Sequence, residues 1–220
     1  MNAPSSVNCA VLEPPQTNFS CEEIGALLQT GLTRTETIVM RAEPQVETPV
    51  AYSSQISFEG RVAAVVFDFD GVFTDNKVLV TDDGREAVFC DRSDGYAIGQ
   101  LKRTGLPILV LSTEKVPIVR HRCNKLGLEC IHGVDDKVPA LREWLATRNI
   151  AVEDTVYVGN DVNDLGCLQL VGHPVAVGDA YPEAKAAARY VLSARGGHGA
   201  VRELAHAVLR HLRQAVSNSK

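Results

Sequence analysis

Val62-Ala-Ala-Val-Val-Phe67, continued by Asp68-Phe69-Asp70-Gly71-Val72-Phe73-Thr74-Asp75, decides how this chain is read. Residues 62–67 form a short continuous apolar run, the pattern of a strand buried on both faces. Two carboxylates follow it at i and i+2. The period of two in an extended chain puts both on one side, and Gly71 permits a sharp departure. Two anions that close repel, and need either a shared proton or a cation between them. Oxygen-only ligands favour Mg²⁺, which keeps several waters and takes few protein carboxylates.

The pattern repeats down the chain. Lys77–Val80 and Arg85–Phe89 flank Asp82-Asp83-Gly84, a hairpin signal. Residues 94–104 have helical spacing and end at Gly105. Pro107–Ser112 reads as a second buried strand, followed by a helix over 116–126. Residues 129–131, 155–159, 174–178 and 190–192 read as further strands. The segments 136–148, 162–170, 182–188 and 200–215 read as helices. Strands alternating with helices predict an α/β fold, a single Rossmann-like three-layer domain with a parallel sheet. Ligands of such sheets bind beyond the carboxyl ends of the strands, where the strand order reverses.

Those ends carry the chemistry. The strand at 155–159 runs into Gly159-Asn160-Asp161-Val162-Asn163-Asp164. Ser112 closes the strand at 107–112. Lys137 opens a helix after Val134-Asp135-Asp136. Acids, a hydroxyl and an ammonium at one edge are the set needed to hold a metal, hold a phosphoryl group and attack it. Asp161 and Asp164 have a second reading as caps of the helix at 162–170. Asp164 either caps or braces Lys137.

The chain has 220 residues and a net charge of -5, and the acidic balance argues against non-specific nucleic-acid binding. Its 45% hydrophobic content suffices for one sizeable core. Residues 1–57 are irregular and Pro-rich, and form an N-terminal extension with one predicted helix at about 20–31, capped by Ser20 and Glu23. The segment 42–57 reads as a linker, and 58–220 as the catalytic domain. The N-terminus lacks the basic and apolar regions of a signal peptide, and no apolar run reaches membrane-spanning length. The six cysteines form no CxxC pair and read as reduced thiols, so a cytoplasmic location with no membrane partner is expected.

The strand-end motifs, in this order, resemble the haloacid dehalogenase superfamily of phosphohydrolases over residues 60–213. The resemblance implies a covalent mechanism in which Asp68 is the nucleophile and Asp70 the general acid and base. It implies Mg²⁺ held by Asp68, the Asp70 main-chain carbonyl and Asp161, with Ser112 and Lys137 on the phosphoryl oxygens. Thr74, Asp75, Thr113, Asn160, Asp164 and Arg195 are candidates for substrate contact or for bracing these groups. The stretch between Phe69 and Pro107 has room for a β-hairpin flap and no large cap. It looks like the capless sugar-acid phosphatases, which act on 3-deoxy-octulosonate 8-phosphate or on nonulosonate 9-phosphates of the sialic acid type. A module of this kind also follows some acylneuraminate cytidylyltransferases. Ser93 before Asp94-Gly95, and Glu114-Lys115 after Ser112-Thr113, depart from the octulosonate pattern and lean towards a nonulosonate. Arg92, Arg195 and Lys115 are the candidate partners of a substrate carboxylate. The group implies a homotetramer in which the hairpin and the Arg195–Glu203 tail help cover a neighbour's site. A non-catalytic oligomerisation module is the other reading of the same resemblance, and the intact Asp68 and Asp70 weigh against it.

Overall fold

The computed structural model describes residues 56–218. The predicted extension and its helix at about 20–31 lie outside the described residues. Strand β1 spans Ala64–Phe67 and is buried at every position, as its apolar run predicts. A hairpin follows, β2 (Leu79–Val80) and β3 (Glu86–Ala87). Next come α1 (Arg92–Lys102), β4 (Ile108–Ser112), α2 (Ile118–Leu126), β5 (Glu129–His132) and α3 (Lys137–Ala146). The second half holds β6 (Thr155–Gly159), α4 (Leu165–Leu170), β7 (His173–Ala176), α5 (Pro182–Ala187), β8 (Tyr190–Val191) and α6 (Ala200–Asn218).

Six strands form one parallel sheet in the order β5-β4-β1-β6-β7-β8. The chain winds outward from β1 through β4 to β5, then returns to pair β6 with the other edge of β1. The order reverses between β1 and β6, so the carboxyl ends of these two strands flank the crevice of a doubly wound sheet. Right-handed crossovers on either side of a reversal put helices on both faces. Helix α1 packs on α2 and most extensively on α6, while α3 packs on α4 and α4 on α5. The core is aliphatic along β1, β4 and β6, with Phe67, Phe69 and Phe73 packed ring against ring beneath the first turn. The described cysteines, Cys90, Cys123, Cys130 and Cys167, are free thiols.

The predicted strands of the hairpin shorten to two residues each. Val78, Leu79, Val80 and Phe89 are exposed, with Val80 58% accessible. No second layer covers this ribbon, and a two-stranded ribbon alone gains little from pairing. The segment 162–170 also divides, into a 3₁₀ turn at Val162–Asp164 and then α4. Among the described residues no helix is long and apolar enough to cross a membrane.

Asp94 ties α1 to α6: its Oδ1 accepts the Arg202 main-chain N–H at 3.0 Å, while its fully buried Oδ2 has no partner. Burial, reinforced by the Asp91 charge, pushes the Asp94 carboxyl up to about 7 against the pull of Arg122 and Arg202. A carboxyl raised from an ordinary 3.8 binds its proton more tightly in the folded state, so this contribution to stability is complete below about pH 4 and is lost as pH rises through 7. Asp94→Asn keeps the acceptor and removes the titration. Calorimetry is expected to show it melting roughly 5 °C above wild type at pH 8, with the gap closing towards pH 4.

Candidate active site

Asp68 leaves the end of β1 with its main-chain N–H bonded to Val158 O at 2.9 Å, so the sheet itself holds it. Lys137, the first residue of α3, reaches under the crevice. Its ammonium lies 2.7 Å from Asp68 Oδ1 and 2.7 Å from Asp164 Oδ1. All three residues are buried, with relative exposures of 2% for Asp68, 2% for Lys137 and 0% for Asp164. Burial alone would lower Lys137, but the two carboxylates outweigh it and hold the ammonium above its ordinary range. Asp164 accepts three further hydrogen bonds, from Tyr157 Oη at 2.6 Å, Asn160 N at 2.8 Å and Asp161 N at 3.3 Å. Both sequence readings of Asp164 are thus realised: it braces Lys137 and it closes the turn at 161–164.

Asp70 lies one turn further on. Phe69 O accepts the N–H groups of Val72, Phe73 and Thr74, which curls the chain back on itself. Thr74 Oγ1 sits inside this curl. It accepts from Gly71 N at 3.0 Å and Asn76 N at 3.2 Å, and donates to Asp70 Oδ1 at 3.5 Å. Gly71 has φ +77, and a Cβ there would come within 2.0 Å of Asn160 Nδ2. The position therefore needs glycine both for its backbone and for the amide packed on it. Asp75 binds the next turn through Lys77 N at 3.3 Å rather than pointing inward.

Ser112, at the end of β4, accepts the Glu114 N–H at 3.0 Å, which leaves its own proton free to donate. Asp68, Asp70, Ser112, Thr113, Asn160 and Asp161 line one cleft with Asn76 and Asn163, enclosing about 260 Å³ including its open mouth. Asn76 and Asn163 were not singled out in the sequence. Asn76 has φ +61, a conformation asparagine tolerates, but the spacing of the motif carries no sign of it. Arg195 lies away from this lining and pairs with Asp179 at 3.4 Å, and Lys115 pairs with Asp135 at 3.2 Å on the surface.

Burial and the Asp164 charge push Asp68 up to about 7 against the opposing pull of Lys137. Burial raises Asp70 too, reinforced by Glu114. A carboxylate that must stay ionised here calls for positive charge beyond the one ammonium. The Asn160 amide lies against Asp68 Oδ2 and the Asp70 carbonyl oxygen, and with its NH₂ on that side it donates to both, at 3.2 Å and 2.9 Å. Asp68, Asp70 and Asp161 bring oxygen donors to one cleft, a set that suits Mg²⁺, which fills its octahedron with water and phosphate oxygens. Among the described residues no three His, Cys, Asp or Glu side chains converge on a metal position, and this donor set does not require three. The Asp161 carboxylate, expected among the ligands, lines this cleft, and its Oδ1 also caps its own turn through Val162 N at 2.6 Å.

A family model of the haloacid dehalogenase-like hydrolases matches residues 121–204. A 3-deoxy-D-manno-octulosonate 8-phosphate phosphatase of Yersinia pestis is 32% identical over 162 residues, spanning 73% of this chain and 86% of the relative. The chain belongs to the haloacid dehalogenase-like hydrolases. A proposed hydrolase of this family from Streptomyces avermitilis shares 49% identity at a TM-score of 0.65, covering 66% of this chain and 84% of that one. The cobalt-bound deoxy-D-mannose-octulosonate 8-phosphate phosphatase of Haemophilus influenzae shares 32% identity at a TM-score of 0.66, covering 69% and 89%. The chain is a phosphoric monoester hydrolase, and its parallel α/β sheet is the fold of these phosphatases.

Removing Asp164 leaves the buried Lys137 with one counter-charge and strips Tyr157 and two main-chain N–H groups of their acceptor. Asp164→Ala is expected to cost about 3–5 kcal/mol in urea unfolding, far beyond the effect of a surface aspartate such as Asp83→Ala.

Proposed function

We propose that the chain is a Mg²⁺-dependent phosphatase of sugar-acid phosphates that works through a phosphorylated Asp68. The observation that carries this reading is the position of Asp68 between Lys137 and the cleft it shares with Asp70 and Asp161. A carboxylate is a weak nucleophile towards phosphorus surrounded by negative oxygens, so that charge must first be neutralised. When bound, the cation would supply this neutralisation, held by Asp68, the Asp70 carbonyl and Asp161, with the Asn160 amide beside them. Lys137 and the Ser112 hydroxyl are the phosphoryl-oxygen donors.

Asp68 attacks phosphorus as the bond from phosphorus to the sugar oxygen breaks. The departing alkoxide takes the proton of Asp70, whose raised affinity for protons suits it to that task. Water then attacks phosphorus and gives its proton to Asp70. The bond between Asp68 and phosphorus breaks, and inorganic phosphate leaves. Thr74 keeps Asp70 aimed through the 3.5 Å contact.

The named relatives favour 3-deoxy-octulosonate 8-phosphate as the substrate. Ser93 and Glu114-Lys115 favour a nonulosonate 9-phosphate. Among the described residues the eight that line the cleft include no cation, and Arg92 and Lys115 remain the candidate partners of a substrate carboxylate. A homotetramer accords with the exposed Val80 and Phe89 of the hairpin. Light scattering that returns a monomer would remove that part of the reading.

Phosphate release from a panel of sugar phosphates tests the reaction. Wild-type protein with Mg²⁺ is expected to prefer the 8- or 9-phosphate of a sugar acid, and Asp68→Asn to lose at least about 10³-fold in kcat. Activity undiminished in Asp68→Asn would sink the nucleophile. Calorimetric titration with Mg²⁺ separates the ligands: Asp161→Ala is expected to weaken binding about 10-fold or more, Asn160→Ala less.

A further inference from the structure

Asp179 stands outside the cleft, in the loop between β7 and α5, yet both sides of the site are tied to that loop. On one side Val177 N donates to Gly159 O at 3.3 Å and Tyr181 N to Asn160 O at 2.8 Å, which holds the turn carrying Asn160. On the other side the loop is zipped to residues 192–196. Leu192 N donates to Ala176 O at 2.8 Å and Gly178 N to Ala194 O at 2.9 Å. Asp179 closes the zip with its side chain: Oδ1 accepts the Gly196 N–H at 2.8 Å and Oδ2 the Arg195 Nε–H at 3.4 Å.

The strap so held, Arg195–Gly197, lies on the turn that carries Asp70. Gly197 N donates to Val72 O at 3.1 Å. A Cβ at Gly196 would come within 1.9 Å of Gly71 O, and one at Gly197 within 2.4 Å of Asp75 N. The two backbones touch, so any loosening of the strap frees the turn directly. The effect on the two reacting carboxylates is unequal. Asp68 is fixed by β1 through Val158 and by Lys137, independently of the strap. Asp70 is aimed by the curl of the turn and its long Thr74 contact.

We propose that Asp179 is a positioning residue for the general acid: by latching the Gly196–Gly197 strap onto the Gly71–Asp75 turn, it keeps Asp70 in line with the leaving oxygen while leaving Asp68 untouched. This rests on the roles proposed above for Asp68 and Asp70. It assigns the Arg195 guanidinium to the latch and not to a substrate carboxylate.

Leaving-group dependence separates this role from general support of the fold. p-Nitrophenolate departs without a proton, whereas a sugar alkoxide needs one. Asp179→Ala is compared with wild type on p-nitrophenyl phosphate and on the best sugar phosphate of the panel, with Mg²⁺, well below the melting temperature. Because the later attack of water on the phosphorylated Asp68 is common to both esters, kcat/KM, which reports the departure of the leaving group, is the quantity compared: it is expected within about 3-fold of wild type on the aryl ester and down about 30–100-fold on the sugar ester. Asp179→Asn, which keeps an acceptor for the Gly196 N–H, is expected within about 3-fold of wild type on both. Where Asp179→Ala does not fold, Gly197→Ala, which lifts the strap from Asp75 without altering Asp179, carries the same comparison. Equal losses of kcat/KM on the two esters, or no loss on either, overturn the inference. Wild-type protein that releases phosphate from neither ester overturns the phosphatase reading and this inference with it.

Discussion

A single ammonium buried between two carboxylates organises this molecule. Lys137 comes from the start of α3, Asp68 from the end of β1 and Asp164 from the turn after β6, and the three meet within 2.7 Å beneath the crevice. Taking three charges out of water is costly, and each needs the others to remain there. The Tyr157 hydroxyl and two main-chain N–H groups complete the network around Asp164. One set of contacts thus fastens the two strands that flank the reversal of the sheet and sets Asp68 in the floor of the cleft.

The excess of negative charge left over is what the proposed reaction draws on. Asp68, Asp70 and Asp164 outnumber the one ammonium, and burial keeps water from screening them. The Asn160 amide, packed on Gly71, lies against Asp68 Oδ2 and the Asp70 carbonyl. Asp70 differs from Asp68 by two residues and by environment. One is locked to a strand and an ammonium, and the other is balanced on a turn that the far end of the chain holds down. The two roles proposed for these like groups rest on that difference in support.

Much of this was legible in the residues. The all-apolar run before Asp68 can only be a strand with two covered faces, and the alternation after it leaves little choice but a parallel sheet. Ser112 and Asn160–Asp164 stand at strand ends and Lys137 at a helix start, so the sheet rule brings them together before any coordinate is known. The hairpin was visible but overextended, because apolar Val78 and Val80 suggest strand whether or not anything packs on them. Asn76 and Asn163 were missed, since an amide in a turn reads as turn chemistry first.

The sequence by itself determined the order of strands and helices and the edge where the chemistry gathers. Those follow from burial and periodicity, which are local properties of the chain. Tertiary structure showed that Lys137 lies buried between Asp68 and Asp164. It alone decided that Asn160 packs on Gly71 while its neighbour Asp161 caps the turn, for the Asp164 network bends the chain between them. It also decided where the glycines of the tail go. Gly196 and Gly197 permit a close approach to any surface. The latch of Asp179 and the carbonyl of Val72, distant in sequence, select the turn of Asp70 in the same chain.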